Sequence, residues 1–140
     1  MTVTLPDKPS ELIRLAVEDF TKCEAACDKF EIDMAEYCHT VDGKCHVCLA
    51  GAVMAQTLGC NGTFEGRGEV WRDKDLNRKM EFLNCIRLGF IGHALEHIGG
   101  YDTKKYEHLD RDVIGYWGPH KETFKRQVLK IADDLEAVGL

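Results

Sequence analysis

Seven cysteines and six histidines give this chain several spacings that metal and redox chemistry use. Cys23-x3-Cys27 precedes Cys45-x2-Cys48, with Cys38-His39 between them. Soft thiolates in paired short spacings are what a tetrahedral zinc ion takes. Cys23 and Cys27 also fall on an apolar helical stripe, and free cysteine is among the most buried residue types, so core packing competes with zinc for the same four sulfurs. Cys45-His46-Val47-Cys48 has the spelling of a redox pair, because a thiol at a helix N-terminus has its pKa lowered by the helix dipole. Thioredoxin-like chemistry sets such a pair in a βαβ unit, whereas here a helix and a hairpin come first. His93-Ala94-Leu95-Glu96-His97 fits the H-x-x-E-H spelling of inverted zinc peptidases, in which two histidines one turn apart hold zinc and the glutamate serves as base. That chemistry needs a third ligand, which the motif does not supply. Cys60 and Cys85 have no close partner in sequence and read as packing residues. The sequence therefore assigns no catalytic residue and no metal ligand, and it leaves any cofactor unknown.

Recognition chemistry has its own candidates. Arg67 lies in the glycine-rich run Gly62 to Gly68 with Trp71 and Arg72 just after it, and Tyr116, Trp117 and His120 lie in Asp110 to His120. Aromatic and arginine side chains on loops are what binding sites are built from, and these six are the expected binding residues. Neither loop is a phosphate loop, since the first lacks Gly-Lys-Ser/Thr and a preceding buried strand.

The elements that must position these groups follow from periodicity. Pro9-Ser10 opens an amphipathic helix over about 9–28, with Leu12, Leu15, Ala16, Phe20, Cys23 and Cys27 on one stripe. Phe30, Ile32 and Met34 alternate with acids, and segments 37–41 and 44–47 flank Asp42-Gly43, a tight hairpin turn. A small antiparallel sheet of two or three strands is expected. The apolar run from Leu49 ends at Gly59 and reads as a short buried helix. Residues 60–72 read as a loop, Asp73 or Asp75 caps a helix that runs to Gly89, and a short helix spans 90–98. Residues 101–119 are expected to be irregular surface structure, and Pro119 starts a final helix carrying Phe124, Val128, Ile131 and Leu135. The fold class is α+β: a single mostly helical domain over 1–140 with a small antiparallel hairpin sheet.

Composition bounds the function. A chain of 140 residues, 44% apolar and 30% charged, has room for one globular core. Its net charge of −6 is the wrong sign for coating nucleic acid or an anionic membrane. No window reaches the roughly 18 apolar residues of a membrane span, and the N-terminus has no basic, apolar signal. The thiols are expected in a reducing cytosol. Residues 1–43 hold 10 acidic and 4 basic side chains, so the whole net charge sits in that third. This is either a solvated acidic face or a surface aimed at a basic partner.

The stretch Cys45-x-Val47-Cys48-Leu49-Ala50-Gly51-Ala52-Val53-Met54-Ala55, with Ile32-Asp33-Met34 upstream and Leu83-Asn84-x-Ile86-Arg87-x-Gly89 then Ala94-Leu95 downstream, resembles a family of small uncharacterised proteins from bacteriophages and prophages. The resemblance covers roughly residues 9–100, and neither Cys23/Cys27 nor the two histidines belong to it. It implies a phage accessory protein in the host cytosol. Function is accordingly expected to be binding rather than catalysis: sequestration or inhibition of a host defence-related protein with a basic surface, or of a small nucleotide signal, and a homo-oligomer is compatible. A zinc-stabilised adaptor module and a small metallo-hydrolase are the rival expectations.

Overall fold

The structure, a computed structural model, describes residues 4–33, 38–60, 64–114 and 121–140. In chain order the elements are α1 (Pro9–Ala25), β1 (Phe30–Ile32), β2 (Cys38–Val41), β3 (Lys44–Val47), α2 (Leu49–Gln56), α3 (Phe64–Arg72), α4 (Lys74–Ile86), α5 (Ile91–Ile98), α6 (Thr103–Tyr106) and α7 (Lys121–Ala137), with a 3₁₀ turn at Glu107–Leu109 after α6. The class is the expected one, a mostly helical α+β domain with a small sheet.

α1 presents Leu12, Ile13, Ala16, Val17, Phe20 and Cys23 inward at three- and four-residue steps. It packs against α7 on one side and α2 on the other. α7 answers with Phe124, Val128, Ile131, Ala132 and Leu135, and the Phe20 and Phe124 rings meet at 5.6 Å. Burying each of these phenyl groups contributes about 1.5–3 kcal/mol. α2 is buried all round from Leu49 to Met54, which its run of small and apolar residues allows.

The sheet differs from the antiparallel expectation in one strand. β2 and β3 form the expected antiparallel hairpin, closed by Asp42 and Gly43 with φ of 50° and 81°, the two positive values a type I′ turn requires. β1 joins the far side of β3 in parallel, Phe30 opposite Cys45 and Ile32 opposite Val47, so the order is β1-β3-β2. Alternation of period two fixes which face a residue takes but says nothing about strand order. β3, with Cys45 and Val47 buried, is the central strand.

Two segments expected to be irregular are helical. Residues 64–72 form α3 despite Gly66 and Gly68, because Val70 is buried and Trp71 packs partly against the core. Tertiary burial outweighs the roughly 1 kcal/mol that a glycine costs a helix. Beyond Gly100, α6 and the 3₁₀ turn seat Tyr106, and Val113 follows them into the core. Among the described residues no helix is long and apolar enough to cross a membrane.

Several acids of the N-terminal third meet basic side chains from elsewhere in the fold. Asp7 meets the buried ammonium of Lys79 at 2.9 Å, Glu24 meets Lys125 at 2.6 Å, Glu31 meets Lys44 at 3.9 Å and Asp33 meets His46 at 3.2 Å. Lys79 also donates to the Leu5 carbonyl and to Asp75, which ties the N-terminal residues to α4.

Asp19 differs in its burial: it is an α1 carboxylate only 1% exposed, with Lys22 of its own helix at 4.0 Å. Desolvation raises its pKa against the opposing effect of the Thr57 hydroxyl, which donates to Oδ2 at 2.5 Å. With a folded pKa above the unfolded one, the native state holds this proton more tightly, so stability falls as pH rises through the folded value. Ionising this carboxyl therefore costs the folded state. Asp19→Asn keeps an acceptor for Thr57 and is expected to leave stability unchanged or raise it by up to about 1 kcal/mol at pH 7. Urea unfolding of the two proteins at pH 7 measures this, and a clear loss in the variant would contradict the sign.

Candidate metal centre

α4 and α5 form a helical hairpin. The Asp73 side chain caps α4, accepting from the Asp75 and Leu76 amides, and the helix ends where Gly89 takes φ of 84°. The amides of Leu88 and Phe90 donate to the Cys85 carbonyl, and that of Gly89 to Ile86, closing the turn in four residues. α5 therefore lies back along α4, with Ile91, Gly92, Ala94 and Leu95 buried and His93 exposed.

Three further contacts fix α5. Asp110 Oδ1 accepts from the amides of Ile91 at 2.7 Å and Gly92 at 3.0 Å, capping the helix from a distant part of the chain. The Arg111 amide donates to the Gly89 carbonyl at 3.1 Å. At Gly92 a Cβ would stand 2.8 Å from the Thr103 carbonyl oxygen, so α6 crosses α5 at a distance only glycine permits.

This hairpin gathers Cys85, His93 and His97. One ligand atom from each lies within 4.8 Å of the others, and among the described residues it is the one such group of three. Cys85 comes from the last turn of α4, and His93 and His97 share a face of α5, their rings 5.0 Å apart and edge to face. Thiolate and imidazoles about one zinc stand roughly 2.0–2.3 Å from it, so the three ligand atoms would draw somewhat closer together to share one ion. His93 Nδ1 is 3.2 Å from Glu96 Oε2, which leaves Nε2 for a metal. A carboxylate on the far nitrogen of a ligating histidine is the usual outer partner of such sites.

Burial first, and then the Glu81 carboxylate, push the Cys85 thiol up to about 11, with Glu96 adding to and Arg87 opposing the rise. Without a cation this sulfur keeps its proton near neutrality. A divalent ion reverses the balance, because the carboxylates that disfavour a thiolate attract the metal that replaces its proton.

The four cysteines expected as an alternative zinc set do not converge in this way. Cys23 is buried in α1, its sulfur accepting from Gln56 Nε2 at 3.4 Å, and its thiol is raised to about 11, chiefly by desolvation. Cys27 is exposed, and Cys45 is a core residue of β3. Cys48 does sit at the N-terminus of α2, where its sulfur accepts from the Gly51 amide at 3.4 Å. Desolvation there outweighs the backbone donors and raises the thiol instead of lowering it. The dipole-activated redox thiol read from the sequence is thus overturned by burial.

Of the six expected binding residues, Arg67, Trp71 and Arg72 lie on α3 rather than on a loop. Arg67 and Trp71 are half-buried one turn apart, and Arg72 is exposed with its guanidinium against Gly68. Tyr116, Trp117 and His120 lie outside the described residues, as do Met34 and Pro119. Compared with family models, with curated proteins and with solved structures, the chain matches none.

Proposed function

We propose that this chain is a small metal-binding domain that holds one zinc-class ion with Cys85, His93 and His97. The observation that carries the reading is the meeting of one sulfur and two imidazoles from two helices within 4.8 Å. A thiolate and two imidazoles suit zinc among the common divalent ions, and three protein ligands leave a fourth position open. The ion would clasp α5 to the end of α4, adding a cross-link to a hairpin otherwise held by packing and by Asp110.

The reading favours binding over turnover. Glu96, the base that a peptidase-like motif would require, stands instead against His93 Nδ1, where it orients a ligand. Glu96 is therefore a positioning residue in this proposal. A reducing cytosol, the compartment proposed for the chain, keeps Cys85 as a free thiol for the metal. A phage-type accessory role acting on a host protein or a small nucleotide is compatible with such a domain and is proposed alongside it.

Equilibrium dialysis against zinc at pH 7.5, followed by metal analysis, tests the site. One equivalent per chain is expected for the native sequence and less than a tenth of that for His97→Ala. An equal zinc content in the two proteins would contradict the assignment.

A further inference from the structure

α7 carries a second arrangement, made of different side chains. Its residues Thr123, Arg126, Gln127 and Lys130 follow one another at helical steps on one face, and Arg111 reaches over from the segment after the 3₁₀ turn. Together they line a groove of about 430 Å³, within the usual size range of small-molecule sites.

Hydrogen bonding leaves this groove rich in donors. Asp134 is its neighbouring acid, and its carboxylate is shared between Arg111 Nη2 and Lys130 Nζ, the latter at 3.2 Å. Arg111 Nε donates to the Leu109 carbonyl at 3.1 Å, so that guanidinium is held in place from two sides. The Gln127 carbonyl oxygen accepts from the Ile114 amide at 2.9 Å, which directs the remaining capacity of that side chain to its NH₂ donors. Arg126 gives Nη2 to Thr123 Oγ1 at 3.3 Å and has further N–H groups in its planar fork. Arg111 and Lys130 share the Asp134 carboxylate and Arg126 adds a third cation, in a chain whose net charge is −6. Such a set matches a ligand with several acceptor oxygens and negative charge, and guanidinium forks suit phosphate best.

We infer that the groove between α7 and Arg111 binds a small phosphorylated anion, with Arg126, Gln127 and Lys130 donating to the phosphate oxygens and Arg111 supplying a fixed positive charge. The contribution of exposed cations falls with salt, so binding is expected to weaken as ionic strength rises.

The test is an amide NMR titration of the full chain at fixed ionic strength with pyrophosphate, with ADP and with acetate. Saturable shifts centred on residues 111 and 123–130 are expected with pyrophosphate and ADP, at concentrations where acetate produces none. Arg126→Gln and Lys130→Gln are each expected to weaken binding about tenfold, the equivalent of one charge-assisted hydrogen bond, while melting at the native temperature. Two substitutions at exposed positions guard against a fold defect in either. ADP binding more tightly than pyrophosphate would identify a nucleotide as the source of the phosphate. Equal affinity would mean that the phosphates alone are read. Shifts spread over unrelated cations such as Arg14 and Arg78, or affinities untouched by both substitutions, would overturn the inference.

Discussion

Gly89→Ala is expected to destabilise the fold by on the order of 3 kcal/mol, enough to lower the melting temperature by roughly 10 °C in a domain of this size. Two effects add. The residue has φ of 84°, a left-handed conformation that costs an alanine about 1 kcal/mol. A Cβ there would also stand 1.8 Å from the Arg111 carbonyl oxygen and 3.2 Å from Val113 Cγ2, so the strap over the hairpin turn must move. That strap carries Asp110, the cap of α5, and Val113, a core residue. Gly59 is the internal control: its φ is 70°, it closes the end of α2 with the Cys60 amide on the Met54 carbonyl, and nothing lies within 4 Å of its missing Cβ. Gly59→Ala should therefore show the conformational cost alone. Thermal unfolding followed by circular dichroism compares the two, and equal losses would mean that the strap does not press on the turn.

Zinc should produce the second large effect, this time stabilising. An ion that binds only the folded state adds about 2.7 kcal/mol when its free concentration is 100 times its dissociation constant. For this chain that corresponds to a rise in melting temperature of roughly 10 °C. Cys85→Ala and His97→Ala should each abolish the zinc-dependent part. Glu96→Gln should leave the metal-free protein as stable as before, because that side chain is exposed, yet weaken zinc about 10–100-fold through the orientation of His93. A zinc-dependent rise that survives Cys85→Ala would place the ion elsewhere.

How legible this was depended on the range of the interaction involved. The stripes of α1 and α7, the buried run of α2 and the Asp42-Gly43 turn are local patterns, and they appear where periodicity and turn chemistry put them, except that α1 ends at Ala25 and leaves Cys27 exposed beyond it. The parallel seating of β1 and the helical form of residues 64–72 depend on partners distant in sequence, for which alternation and propensity carry no information. The acidic excess of residues 1–43 was plain as a count, but its pairing with Lys79, Lys125 and Lys44 required the tertiary fold.

The candidate site shows the same division. His93, Glu96 and His97 stand in the sequence as a motif lacking a third ligand, while Cys85 reads there as a packing residue. It is both, 7% exposed in the core and within reach of the two imidazoles. A usable signal was present: Cys85 lies eight residues before His93, with a glycine-closed turn between two helices, and an αα-hairpin sets such positions side by side. The groove on α7 had no comparable signal. Arg111 is 15 residues from Arg126 in sequence and joins it only through the way the segment after the 3₁₀ turn folds.

The most direct test of the metal centre is a cobalt(II) titration followed by absorption, with cobalt standing in for zinc and reporting its own ligands. A thiolate-to-cobalt charge-transfer band that saturates at one equivalent is expected, accompanied by the visible bands of a tetrahedral ion, and lost in Cys85→Ser. Saturation without a thiolate band, or a band unchanged in Cys85→Ser, would contradict this ligand set.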